Sequence, residues 1–189
     1  VAQVPSRSAS RSPHSLKICC ADLSWAHPRI GMWAATHDRW LTSCMELTIR
    51  DATQSDADGV AHLLADLGYP ISTEVAAAHI ERFVCDPASR IQVAEGGDGL
   101  IGLVATHIVP RLDDDGLTCR ITDIVVSGAR RRAGVGSALL AAAEQEARRV
   151  GAPRLDLSSG EWRADAHAFY TRHGFDTPAR TFTKRLRPD

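Results

Sequence analysis

The stretch Ile124-Val-Val-Ser-Gly-Ala-Arg-Arg-Arg-Ala-Gly-Val-Gly-Ser-Ala-Leu-Leu140 runs from an apolar strand through a basic, glycine-bearing turn straight into a helix. Gly134 and Gly136 let the backbone approach a ligand without a Cβ in the way, and the first N–H groups of the helix lack internal partners and point outward. Such a junction can hold an anion, and its row of donors suits a pyrophosphate. Arg131 and Arg132 add charge-assisted hydrogen bonds, while Val135, Ala138, Leu139 and Ala142, spaced i, i+3, i+4, i+7, form a face that packs on a sheet. On the glycines alone an ordinary turn with a solvated basic run stays open, because a lone G-x-G is a weak signal. A dinucleotide fingerprint is excluded, since Leu139 stands three residues after Gly136, and so is a Walker loop, since no Gly-Lys-Ser/Thr follows.

Upstream of this junction, Leu47 and Ile49 alternate with polar residues as a strand, and Thr53 to Asp56 start a helix carrying Val60, Leu63, Leu64 and Leu67. Gly68-Tyr-Pro70 stops it, and Ser72-Thr-Glu74 opens a second helix whose apolar face continues through Ile80 and Phe83 to Asp86-Pro87. Ile91 to Ala94 and Leu100 to Val109 read as strands joined by the hairpin turn Gly96-Gly-Asp-Gly99. Pro110 and Asp113 to Asp115 mark a loop, and Cys119 to Val126 a further strand. Downstream come a long helix from Gly134 to Val150, a strand at Leu155 to Leu157, a helix at Ala164 to His173 and a closing strand at Thr181 to Leu186. The expected order is β-α-α-β-β-β-α-β-α-β.

The 189 residues, 44% hydrophobic, with 22 Lys+Arg against 23 Asp+Glu, suit one globular domain and a modest tail. A formal charge of −1 provides no broad cationic face, so neither nucleic acid nor anionic lipid is expected as a partner. No stretch approaches the roughly 18 to 20 consecutive apolar residues of a membrane span. Five cysteines, odd in number and without CxxC spacing, make a reducing cytoplasm the default location. The eight histidines are scattered, and no metal site is expected. Residues 1–44 hold five Lys/Arg and two Asp, net +3, whereas residues 45–189 hold 17 and 21, net −4. That shift places a boundary near Met45. The first segment shows no sustained period and carries Trp25, Trp33 and Trp40. It reads as a disordered or non-native leader: residues upstream of a true start at Met45, a transit peptide, or an interaction tail. The domain itself is expected over 45–189.

A second constellation follows the strand ending Leu155-Asp-Leu-Ser-Ser159: Ala166-x-x-Phe169-Tyr170-x-x-x-Gly174-Phe175. Together with Arg131-x-x-Gly134-x-Gly136 opening a helix, and with the order of elements, it resembles the GNAT superfamily of acetyl-CoA-dependent N-acetyltransferases over about residues 46 to 187. The Ala166-His167 pair and the ending Thr181-Phe-Thr-Lys-Arg-Leu186 are most similar to bacterial small-amine enzymes of the aminoalkylphosphonate type. The resemblance implies an α/β fold with a mixed, mostly antiparallel central sheet flanked by helices, and acetyl-CoA as cosubstrate. It also implies a cosubstrate site along Ile124, Val126, Arg131, Arg132, Ala133, Gly134, Gly136, Ser137 and Tyr170. Tyr170 matches the family's general acid, and Asp123 stands where members often carry an acid facing the acceptor. Two departures stand out: Arg132 and Ala133 replace a frequent Gly and Lys, and Arg163 replaces a frequent Asn.

Acetyl transfer from a thioester to an amine needs the carbonyl held by donors, the ammonium deprotonated and the leaving thiolate protonated. An alkyl ammonium has a pKa near 10, so freeing it at pH 7 costs about 4 kcal/mol, which a base and a desolvated pocket must help to supply. Asp123 is the favoured base, with Glu161 and His107 as weaker candidates. The expected acceptor is a primary amine of a small molecule, attacked directly in a ternary complex. A protein N-terminus or Lys, an aminoglycoside, or a non-catalytic acyl-CoA sensor on the same fold are the alternatives. The acceptor side holds more acid than base, counting Asp113 to Asp115, Glu161 and Asp165 against Arg111, Arg120 and Arg163, which tips the expectation toward a cationic amine over an aminophosphonate. A homodimer is left open.

Overall fold

The computed structural model describes residues 47–97, 99–113, 116–177 and 181–185, so the boundary expected near Met45 lies outside the described residues. β1 (Thr48–Asp51) leads through a 3-10 turn (Gln54–Asp56) into α1 (Ala57–Leu67) and α2 (Thr73–Cys85). β2 (Ser89–Gly96), β3 (Gly99–Pro110) and β4 (Leu117–Val126) form a meander, α3 (Val135–Val150) crosses over to β5 (Arg154–Leu157), and α4 (Ala164–Arg172) follows. The sheet order is β1-β2-β3-β4-β5, with every pair antiparallel except the last. A parallel pair cannot be closed by a tight turn, so α3 supplies the crossover.

Local chemistry sets the boundaries. Ser72 caps α2 by accepting from the Val75 N–H at 3.4 Å, while α1 and α3 end on Gly68 and Gly151 in left-handed conformations (φ 98 and 74). One core lies between the sheet and α3, built from Ile49, Ala94, Val104, Ile121, Leu139 and Leu140; the other lies between the opposite face and α1 and α2, built from Val60, Leu63, Ile80, Val93, Leu103 and Val125. These apolar faces hold α3 on one side of the sheet and the α1–α2 pair on the other.

The expected closing strand is not formed over Thr181 to Arg185, and Leu186 lies outside the described residues. The segment alternates like a strand, but all five residues are exposed and Phe182 is 93% accessible. Alternation forms a strand only where one face is covered, and nothing covers this one.

At the edge of the α3 core, the buried Glu146 carboxylate receives Arg149 Nη2 and Nε at 2.6 and 2.9 Å and an ion pair from Arg90, which also binds Asp51. Burial alone would raise the Glu146 pKa, but the Arg149 and Arg90 guanidinium groups outweigh it and hold the carboxyl below its ordinary range. A carboxyl depressed in the folded state stabilises above its unfolded pKa and loses that contribution as pH falls through the folded value. Glu146→Gln should therefore cost about 2 kcal/mol at pH 7, because it takes the carboxylate from the part-exposed Arg149 and leaves Arg90 with Asp51 alone. The gap to wild type should narrow as pH falls through the depressed folded-state value, where the wild-type carboxyl itself takes up a proton. Urea unfolding at pH 7 and across the acid range tests this, and a gap that does not change with pH would exclude the ion-pair role.

Candidate active site

The site begins with a bulge. In the β3–β4 register, Ala105 pairs with Asp123 and Thr106 with Ile121, so Thr122 is an extra residue on β4. A one-residue slip reverses which face each side chain meets. Ile121 packs toward α3, and Ile124 and Val126 do the same three and five residues later, whereas Val125 joins the α1–α2 core. Asp123 shares the parity of Val125, so the bulge turns its carboxylate to the α1–α2 side.

Beside the bulge the sheet opens. β5 pairs with β4 only as far as Ile121↔Leu157, leaving the rest of β4 without a neighbour on that edge. The Ser127 N–H donates to the Ile101 carbonyl at 2.9 Å on the other edge. Antiparallel alternation over the partners 102↔126, 103↔125 and 104↔124 then directs the N–H and C=O of Val125 to β3 and those of Ile124 and Val126 into the opening. A cleft of ≈ 200 Å³ lies there, lined by Asp123 and Ile124 of β4, Leu67 and Tyr69 after α1, Trp162 and Arg163 before α4, and Tyr170.

Tyr170 is placed by the turn at the end of α4. Its ring lies between Phe169 and Phe175, with centroids 5.4 and 5.7 Å away, and Gly174 at φ 83 brings the Phe175 N–H back to the Tyr170 carbonyl at 3.0 Å. Burial raises the Tyr170 pKa above its ordinary value, with the Arg163 charge pulling part of the way back. The phenol hydroxyl bonds to no protein group among the described residues, and the Asp123 carboxylate likewise has neither a cap nor an ion pair there. Two unpartnered acid–base groups therefore share one cleft.

Next to it, α3 begins at Gly134, in a left-handed conformation (φ 81) with no side-chain cap, and the first main-chain bond is Ala138 N–H to the Gly134 carbonyl. The preceding N–H groups and the positive end of the helix dipole are therefore open to an anion. Arg131, Arg132 and Ala133 are exposed, and neither guanidinium has a carboxylate partner among the described residues. Arg132 is the one non-glycine residue with positive φ among the described residues (φ 63), at the position where the resemblance has Gly. Donors, charge and open backbone thus fit a diphosphate.

Two expected contact residues face α4. A Cβ on Gly136 would lie 3.4 Å from the Phe169 ring, an ordinary contact. The Ser137 hydroxyl bonds His173 Nε2 at 3.0 Å. Of the weaker base candidates, His107 is bonded by the Ser89 hydroxyl at 2.8 Å and, like Glu161, lies outside the cleft lining. Of the other acids expected to draw a polycation, Asp165 is exposed and Asp113 is paired with Arg111, both away from the cleft lining, while Asp114 and Asp115 lie outside the described residues. Arg120 is paired with Asp156 at 3.1 Å. Among the described residues the charge of the cleft reduces to Asp123 and Arg163.

Sequence reasoning counted Arg163 among the acceptor-side cations beside Arg111 and Arg120 and left His173 without a role. Arg163 reaches across the cleft to donate from Nη2 to the Leu67 carbonyl at 3.2 Å and has no carboxylate partner among the described residues. His173 follows Tyr170 by three residues, the spacing that places two side chains on one helix turn, which is the signal that could have found it.

The chain matches the Acetyltransferase (GNAT) family over residues 32–175. It is 33% identical over 143 residues to the aminoalkylphosphonate N-acetyltransferase of Salmonella typhimurium, covering 73% of this chain and 90% of that one. The structure of a Trypanosoma brucei acetyltransferase superposes with a TM-score of 0.64 at 26% identity, covering 74% of this chain and 99% of that one. An aminoglycoside N-acetyltransferase in complex with CoA has the same fold, with a TM-score of 0.70 at 16% identity over 78% of this chain and 99% of that one.

Proposed function

The chain belongs to the GNAT family of acetyltransferases, and on that premise we propose that it moves acetyl from acetyl-CoA to the primary amine of a small molecule by direct attack in a ternary complex. The observation that carries this reading is the meeting of Asp123 and Tyr170, both unpartnered among the described residues, in one cleft beside the open start of α3.

Bound acetyl-CoA supplies an electrophilic thioester carbonyl. The loop from Arg131 to Ser137 holds its pyrophosphate through the α3 N–H groups, with Arg131 and Arg132 adding charge. The Ile124 and Val126 main-chain groups face the opening left by β5, where an N–H can donate to the thioester oxygen as it gains charge. Asp123 takes the ammonium proton, directly or through water, from the α1–α2 side. Tyr170, in the same cleft, donates its proton to the leaving sulfur, and its raised pKa keeps the phenol protonated throughout the neutral range.

For the acceptor we infer an amine that also carries an anionic group, as in the aminoalkylphosphonates after which the Salmonella relative is named. Arg163 supports this: among the described residues it is a cation in the cleft with no carboxylate partner, and Asp123 is the one carboxylate there to attract a polycation. Thiol release from acetyl-CoA with aminomethylphosphonate, spermidine, tyramine and an aminoglycoside, at low and high salt, tests it. Aminomethylphosphonate should give the highest kcat/KM, and Arg163→Gln should lower that value by roughly tenfold or more through loss of a charge-assisted contact. A preference for spermidine that weakens with salt would transfer the assignment to a cationic acceptor.

A further inference from the structure

α4 carries Tyr170, yet none of its residues is fully buried, so no continuous apolar face fixes the helix on the sheet. Its position depends on a few separate anchors: Arg163 on the Leu67 carbonyl, the part-buried Phe169 against the α3-side core, and His173. The last of these is directional. His173 Nδ1 lies 2.9 Å from the Phe169 carbonyl, which can only accept, so Nδ1 carries the proton. In the neutral ring Nε2 is then the acceptor, and the Ser137 hydroxyl donates to it at 3.0 Å. The His173 ring also lies against Phe169 at a tilt of 44°, centroids 4.3 Å apart, which restricts its freedom to turn away.

Ser137 belongs to the first turn of α3, the segment with the open N–H groups, while His173 ends the helix that presents Tyr170. The first turn of α3 and the last turn of the Tyr170 helix meet here, and among the described residues this is the one side-chain hydrogen bond that ties them. We propose that the Ser137–His173 hydrogen bond clasps the Tyr170 helix to the anion-binding helix, making His173 a positioning residue for the Tyr170 hydroxyl. The inference rests on the acetyltransferase reading above. It also reassigns Ser137: its one hydroxyl proton is given to His173, so toward a phosphate it offers only its main-chain N–H. A phosphate held at α3 thereby fixes the end of the clasp, and the clasp fixes the helix of the acid.

Two substitutions separate the bonds of His173. His173→Asn retains a donor near the Nδ1 position for the Phe169 carbonyl and removes the acceptor at Nε2; His173→Gln retains an acceptor at Nε2 and removes the donor. Ser137→Ala and His173→Asn should each lower kcat by roughly tenfold, since a displacement of the acid well under an ångström is costly. The double variant should be no slower than either single one, because both remove the same bond. His173→Gln should restore most of kcat, and the melting-temperature rise with acetyl-CoA should persist in all of them. Wild-type kcat in Ser137→Ala, multiplicative losses in the double variant, or a His173→Gln variant as slow as His173→Asn would overturn the clasp. Absence of the acetyl-CoA shift in the wild-type protein would instead remove the reading on which it rests.

Discussion

Tyr170→Phe is expected to lower kcat by roughly 10²-fold or more while hardly changing acetyl-CoA affinity, the pattern of a group whose contribution arises in the transition state. The substitution removes only the hydroxyl, and that hydroxyl has no protein partner among the described residues to strand. The ring contacts to Phe169 and Phe175 remain, so the packing at the end of α4 should be kept. A loss of activity with an unchanged melting temperature therefore reports on proton delivery and not on folding. The pH profile provides a second readout. Burial, opposed in part by Arg163, places the phenol above its ordinary value of 10.0. Its proton should therefore be available throughout the neutral and mildly alkaline range, and the wild-type rate should show no alkaline limb assignable to Tyr170 below that value. Single-turnover rates, which isolate the chemical step from product release, are the measurement to make. Wild-type turnover in Tyr170→Phe would leave Tyr170 as a packing residue.

Much of this architecture was legible in the sequence because it is written in periodicity and punctuation. Val135, Ala138, Leu139 and Ala142 are all buried under the expected face of α3, and the glycines at 68, 99 and 151 end elements or turn the chain with positive φ. The site was legible as a set of positions but not as a geometry. Asp123 was readable as an acid on a central strand; that it faces the acceptor side depends on Thr122 being an extra residue, and a bulge leaves no mark in a pattern of alternating residues. The closing strand failed for the opposite reason. Thr181 to Arg185 has the alternation but no covering partner, and coverage is a property of the tertiary fold. Charge was misread in the same way. Asp113, Glu161 and Asp165 are near the acceptor side in the chain, yet none of them lines the cleft: the loop, the turn and the outer face of α4 that carry them leave all three exposed. Arg163 and His173 act through single hydrogen bonds to residues 96 and 36 positions away, and no local pattern encodes such pairs.

Gly134→Asp is expected to abolish the rise in melting temperature that acetyl-CoA gives the wild-type protein. Ligand at 100 times its dissociation constant stabilises by about 2.7 kcal/mol, which for a domain of this size corresponds to a shift of roughly 5 to 10 °C. Two effects of the substitution can be separated. The first is conformational: Gly134 sits at φ 81, where a residue with a Cβ is strained by about 1 to 2 kcal/mol, although Asn and Asp tolerate the region better than most. The second is electrostatic, since an aspartate at the start of α3 occupies the donors and repels a diphosphate. Gly134→Asn carries nearly the same conformational cost without the charge, so it should lower the melting temperature of the free protein as Gly134→Asp does while keeping much of the acetyl-CoA shift. Gly136→Ala provides the steric comparison. Its added methyl meets the Phe169 ring at 3.4 Å, an ordinary contact at a helical position, so the shift should be preserved. If Gly134→Asp retained a wild-type shift, the diphosphate would have to lie away from the α3 terminus, and Arg131 and Arg132 would be reduced to a solvated basic run.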